Sequence, residues 1–219
     1  MKKIEEKINA GRSYRNTHAF EVRDLNDGQE DKKTVRGYAT TFNDPYVLRE
    51  FDGWNGYHYT IREQVDAHAF DDCDMSDVIF QYDHEGRVFA RNSNGTLRFV
   101  ADAHGLLIEA DLGGTQIGRD LYEEIRGGYT NKMSFGFTIS EQTREETEDT
   151  ENKTVEILRT ITKIGKLYDV SAVSLPANDA TEISARNFCD GVINEIEEEF
   201  REKERRAKQR KKIKILSEV

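Results

Sequence analysis

Lys132-Met133-Ser134-Phe135-Gly136-Phe137 sits inside a run, Tyr129–Ser140, that reads as a strand. A polar stretch follows at residues 141–153, and Thr154–Ile164 and Lys166–Leu175 are strand-like again, with Gly165 between them. Apolar and β-branched residues bounded by glycine and polar clusters are the marks of β-structure. Two further segments belong with this one: Tyr82-Asp83-His84 upstream and Leu167-Tyr168-Asp169-Val170-Ser171 downstream. Together they supply a serine, a histidine and a carboxylate, each in an apolar, strand-like run. A weak hydroxyl nucleophile needs that inventory to become reactive at neutral pH. The order His, Ser, Asp differs from the three common protease orders, but the constellation recurs on unrelated folds. The inventory points to a serine hydrolase.

Outward from this region the β character persists. Ala19–Leu25 alternates apolar with polar, and Val35–Phe42, Tyr57–Ile61, Val78–Tyr82, Arg87–Arg91, Thr96–Ala101 and Leu106–Leu112 are further strands. Asn94-Gly95 reads as a hairpin turn between two of them. Glu63–Phe70 is expected to form a short helix. A clearer helix opens after Gly113-Gly114, with Thr115 as its cap, Ile117, Leu121 and Ile125 on one face, and Gly127-Gly128 at its end. Residues 141–153 carry six acids and almost no apolar side chain, as a solvated loop or hairpin tip would. The expected fold is mainly β with a few helices (α+β), closed or partly closed into a barrel.

Three regions follow: a flexible N-terminal arm at 1–17, a β-barrel domain at 18–186 and a charged helical tail at 187–219. In the tail Val192, Ile196 and Phe200 keep a helical spacing. Glu197→Arg201, Glu199→Lys203, Glu202→Arg206 and Glu204→Lys208 are favourable i,i+4 pairs. The tail reads as a detachable interaction segment, or simply as a solvated helix.

The 219 residues suffice for one domain with a substantial core plus an appendage. A net charge of −10 argues against general nucleic-acid binding. No apolar run approaches a membrane span, and the N-terminus lacks the apolar core of a secretory signal. Cys73 and Cys189 form no disulfide framework and read as reduced thiols. Cys73, amid aspartates, should have a raised thiol pKa and so be a poor nucleophile. Neither HExxH nor CxxC spacing exists, Asp71-Asp72-Cys73-Asp74 lacks calcium-loop spacing, and no phosphate-binding glycine motif is present, so no metal or cofactor is expected.

Each candidate residue also has a bland explanation. Ser134 could be an ordinary strand serine, although Gly136 two residues on permits close approach of backbone or substrate. His84, between Asp83 and Glu85, stands at a strand end where it could reach into a cleft or simply face solvent. Asp169 lies amid apolar residues, and a buried carboxylate requires a basic partner, imidazole or otherwise. Glu182 is a fallback acid. The other histidines, His18, His58, His68 and His104, all precede Ser134, which excludes any triad with a histidine after the serine.

The joint pattern resembles the tailed-phage prohead proteases, capsid-maturation serine peptidases related in fold to herpesvirus assemblin. Arg36-Gly37-Tyr38-Ala39 with Phe42, Tyr82-Asp83-His84 with Gly86, Lys132–Phe137, and Leu167–Ser171 followed by Pro176-Ala177-Asn178 carry the resemblance. Gly105-Leu106 and the Ile117–Ile125 helix fit it too, so it spans roughly residues 18–186. It implies Ser134 as nucleophile, His84 as general base and Asp169 as orienting acid, with backbone N–H groups near Phe135 and Gly136 as oxyanion donors. Phage relatives often carry glutamate where this chain has Asp169, and the herpesvirus enzymes use a second histidine after the serine. The resemblance further implies an endopeptidase inside the immature capsid, in the bacterial host cytoplasm. It would cut scaffold or the scaffolding segment of the major capsid protein, and then itself. Dimerisation or higher assembly follows by analogy with the herpesvirus enzymes. The rival expectation is a non-catalytic scaffold or capsid-assembly module on the same fold.

Overall fold

The structure, a computed structural model, describes residues 2–7, 11–19, 21–22, 33–53 and 55–174, with helical positions 198, 201–202, 205–206 and 209–210. The strands in chain order are β1 (Lys2–Lys7), β2 (Ser13–Ala19), β3 (Glu21–Val22), β4 (Thr34–Thr41), β5 (Tyr46–Asp52), β6 (His58–Val65), β7 (Ile79–Tyr82), β8 (Glu85–Arg91), β9 (Leu97–Ala101), β10 (Gly105–Asp111), β11 (Lys132–Asp149) and β12 (Thr154–Val173). A 3-10 turn, Asn92–Asn94, separates β8 from β9, and α1 (Gln116–Arg126) precedes β11.

The long antiparallel β11–β12 hairpin organises the molecule. One sheet runs β1-β11-β12-β6-β5, with β2 also pairing β11, β7 also pairing β12, and β8 pairing β7; a second runs β3-β4-β10-β9. The hairpin strands are long enough to take different partners at their two ends. Near residues 132–137, β11 pairs β2, and at 141–146 it pairs β1. On β12, residues 154–161 pair β6 and residues 169–172 pair β7.

Both sheets and α1 feed one apolar core. Val35 and Ala39 of β4, Leu106 and Ile108 of β10, Leu121 and Ile125 of α1, Phe80 of β7, and Met133, Phe135 and Phe137 of β11 all belong to it. A second cluster, Tyr59, Ile61, Val155 and Ile157, lies under the distal half of the hairpin. Helix α1 is as expected: Thr115 Oγ1 accepts the Gly118 N–H, one apolar face is buried, and Gly127 follows the last turn.

Several expectations are corrected. No closed barrel is found among the described residues: the pairing branches around one hairpin, and a second sheet shares its core. Alternation fixes which face of a strand is apolar, not which strand it pairs. The arm expected at 1–17 is strand over residues 2–7 and 13–17; the β1 register sets Lys2 opposite Glu146, Lys3 opposite Glu145 and Lys7 opposite Glu141. Residues 141–149 are strand rather than loop, and the expected hairpin tip narrows to residues 150–153 between β11 and β12.

No helix forms at 63–70. β6 continues to Val65 with Tyr59, Ile61, Glu63 and Val65 inward, and a charged residue at an inward position concealed the alternation. Asn94-Gly95 does not join paired strands either. Gly95 (φ 78°) closes the 3-10 turn through which the chain leaves one sheet for the other. A charged C-terminal helix is not confirmed, since most of 187–219, like Glu182 and Cys189, lies outside the described residues; Arg206 does donate to Glu202 at 3.0 Å there.

Candidate active site

Strands β2, β11, β12 and β7 lie side by side across Ser134. The register draws two rows over them: Tyr14, Gly136, Asp169, Ile79, and next to it Asn16, Ser134, Ser171, Gln81. Alternation sends Met133, Phe135 and Phe137 into the core and leaves Ser134 and Gly136 on the opposite face. On β12, Val170 and Ala172 enter the same core, so Asp169 and Ser171 share the face of Ser134. Ser134, Asp169 and Ser171 are all fully buried.

His84 comes to this face from a turn. β7 and β8 pair at Tyr82 and Glu85, leaving Asp83 and His84 as a two-residue connection, with φ of 46° and 60°. Positive φ at both central residues is the type I′ hairpin, whose twist matches that of its strands. Asp83 fastens the turn to the end of β12: its N–H donates to the Ala172 carbonyl at 2.9 Å, and its carboxylate accepts from Ser174 N–H at 3.1 Å and Ser174 Oγ at 3.2 Å.

The imidazole then bridges the two rows. His84 Nε2 lies 2.6 Å from Ser134 Oγ, and Nδ1 lies 3.0 and 2.9 Å from Asp169 Oδ1 and Oδ2. An ionised carboxylate only accepts, so Nδ1 carries the proton it donates to Asp169. The Nε2 lone pair therefore faces the serine hydroxyl, which donates to it. A hydroxyl, a base to take its proton and an acid to orient the base are in hydrogen-bond contact, which is the arrangement acyl transfer requires.

A family model described as caudovirus prohead serine protease matches residues 18–192. The chain belongs to that family. Membership indicates a serine peptidase with a role in phage capsid maturation. Comparisons with curated proteins and with solved structures return no significant match.

Two contacts reach this prohead protease site from residues outside the matched span. Arg12 Nη2 donates to Asp169 Oδ2 at 2.8 Å, and its guanidinium lies 4.6 Å from the Tyr168 ring centroid and 5.2 Å from that of Tyr14. The Tyr14 ring packs on the His84 imidazole, centroids 4.3 Å apart. Burial raises the Tyr14 phenol pKa, with Arg12 opposing and Asp169 and Glu85 reinforcing the shift. The sequence setting of Asp169 called for one basic partner, imidazole or otherwise; the structure gives it both an imidazole and a guanidinium. The bonds to Arg12 and Tyr14 could not be read from the chain, because they depend on β2 lying beside β11.

Gly136 is explained by the same geometry. A Cβ there would stand 2.5 Å from Asp169 Oδ1, 2.9 Å from the Tyr14 ring and 3.0 Å from Arg12 Nε. Its missing side chain makes room for the acid and its partners. Phe135 stacks on Phe137 in the core, centroids 4.4 Å apart. His58, His68 and His104 lie elsewhere: the first two pair with Asp52 and Asp71, and His104 packs edge-on against Tyr38. The Cys73 thiol is pushed up to about 11, chiefly by burial and only secondarily by Asp74, so it is not a nucleophile at neutral pH.

Proposed function

We propose that this protein is a serine endopeptidase that cleaves scaffold, or the scaffolding segment of the major capsid protein, and then itself, within the immature capsid in the bacterial host cytoplasm. The observation that carries this reading is the His84 imidazole in contact with Ser134 Oγ on one side and the Asp169 carboxylate on the other. Ser134 Oγ attacks the scissile carbonyl carbon as Nε2 takes its proton, and the carbonyl π electrons move to oxygen. The tetrahedral intermediate collapses, the amine leaves with the proton from Nε2, and water repeats the sequence on the acyl-enzyme. Asp169 holds the tautomer and stabilises the imidazolium, without itself becoming protonated. The sequence needs no cofactor.

Full burial of Ser134 favours a second reading, a non-catalytic assembly module in which the serine is sealed away. On the peptidase reading, the segments around the site shift to admit substrate. Co-expression with the major capsid protein and its scaffold separates the two. The wild-type chain is expected to cleave, and Ser134→Ala to abolish cleavage while leaving solubility intact. No cleavage by wild type, or unchanged cleavage by the variant, overturns the peptidase assignment.

A further inference from the structure

We propose that Ser171 is a further catalytic residue, the side-chain donor that receives the negative charge of the tetrahedral intermediate; the inference rests on the peptidase reading above. Stabilisation of that oxyanion by preorganised donors is usually the largest single contribution to acyl transfer, and the donors must face the position where the charge develops. Backbone amides of the serine strand cannot supply them here. Over Lys132–Phe137, β11 is an interior strand, paired with β2 along one edge and β12 along the other. Its N–H groups therefore lie in the plane of the sheet and belong to the ladders, not to the face that carries Ser134. That applies to Phe135 and Gly136 alike.

Side chains on this face are the remaining donors close to Ser134 on its own sheet. His84 serves Ser134 and Asp169, and Arg12 is bonded to Asp169. Ser171 differs: it is fully buried, and its Oγ has no hydrogen-bond partner among the described residues. A buried hydroxyl left unpaired forfeits its hydration without return, so native structures seldom keep one without a use. Its place is specific. Ser171 is the register partner of Ser134, on the same face and on the strand that also bears Asp169. Directly opposed residues of an antiparallel pair hold their Cβ atoms about 4.5–5.5 Å apart. At that separation a carbonyl carbon bonded to Ser134 Oγ can direct its oxygen to the Ser171 hydroxyl, which donates a hydrogen bond and transfers no proton. The substrate oxygen supplies the partner that the resting hydroxyl lacks.

The test uses the full chain and an alkyl fluorophosphonate, which forms an O–P bond with an activated serine and releases fluoride. Labelling of the wild type at Ser134, absent from Ser134→Ala, reports the hydrolase chemistry itself. Without that labelling the hydrolase reading fails, and this inference fails with it. Given it, Ser171→Ala should be labelled about 10²–10³-fold more slowly. Its Tm should be equal or higher, because an unpaired buried hydroxyl has been replaced by a methyl group. Labelling slowed by less than about tenfold overturns the role of Ser171 and leaves the hydrolase reading standing. So does a slowdown accompanied by a Tm fall of more than about 5 °C, which makes the hydroxyl a structural group.

Discussion

Gly136 shows how a single missing atom shapes the site. The space where its Cβ would stand is filled by Asp169, Tyr14 and Arg12, two from neighbouring strands and one from the segment before β2. Gly136→Ala must push at least one of them aside. Overpacking of this kind costs about 1–3 kcal/mol. The closest contact is with Asp169 Oδ1, the atom that also faces His84 Nδ1, so activity should suffer more than stability. We expect Gly136→Ala to lower the cleavage rate about 10²-fold or more, as misplacement of a catalytic group by 1 Å can, with a Tm loss of only a few degrees. A variant with wild-type cleavage would show that the acid's position is unimportant. Sequence identified this glycine as a close-approach position, but what approaches it is settled by groups on other strands and on the segment before β2, Arg12 and Tyr14 among them more than a hundred residues away along the chain.

Among the elements, the β7–β8 hairpin stores backbone strain in its turn. Two non-glycine residues occupy its positive-φ positions, one of them the general base of the proposed mechanism. Left-handed backbone costs an L-residue roughly 1–2 kcal/mol relative to glycine. Comparing His84→Ala with His84→Gly isolates this cost, because both remove the imidazole. The expected result is no cleavage by either variant, with His84→Gly about 1 kcal/mol more stable than His84→Ala in urea denaturation. Equal stabilities would mean the turn carries no strain. Both strands of this hairpin and a turn beside His84 were legible in the sequence, whereas the turn's left-handed geometry was not. Asp83-His84 lacks the glycine that marks type I′ turns, and the anchoring bonds from Asp83 to Ser174 exist only after β12 has docked beside β7.

Across the whole molecule, the large sheet is cross-linked beneath its surface by Glu63. This carboxylate of β6 is fully buried and accepts from Arg15 Nη2 at 3.0 Å, from Arg15 Nε and from the Tyr46 hydroxyl, joining β2, β6 and β5. Burial alone would raise its pKa; the Arg15 charge and the hydrogen bonds from Arg15 and Tyr46 outweigh burial and hold it below the ordinary glutamate value. The Tyr46 phenol is pushed well above its ordinary value, first by burial and then by Glu63. A carboxyl whose folded pKa is depressed contributes stability above its unfolded pKa and loses it as pH falls through the folded one. We therefore expect wild type to be more stable than Glu63→Gln at neutral pH, because the variant leaves the Arg15 charge buried without its counter-ion. The difference should shrink as pH drops below the ordinary glutamate range. Urea denaturation of both proteins from pH 7 to pH 3 measures it, and a gap independent of pH would contradict the assignment.

Local chemistry determined much of this protein directly from its sequence. Strand alternation and glycine-bounded runs gave a mainly β chain, Thr115 and the Leu121–Ile125 spacing gave helix α1, and the apolar settings of Ser134, His84 and Asp169 singled out the three side chains that meet. Pairing was left to tertiary structure. Whether the sheet closes, where residues 2–7 and 13–17 dock, and which groups flank Asp169 and Ser134 all depend on register between strands distant in sequence. The period of two along a strand says which side chains turn inward together. It carries no information about the strand that will lie alongside, and that partner is selected only when the two apolar faces and the buried Arg15–Glu63 charges are satisfied at once.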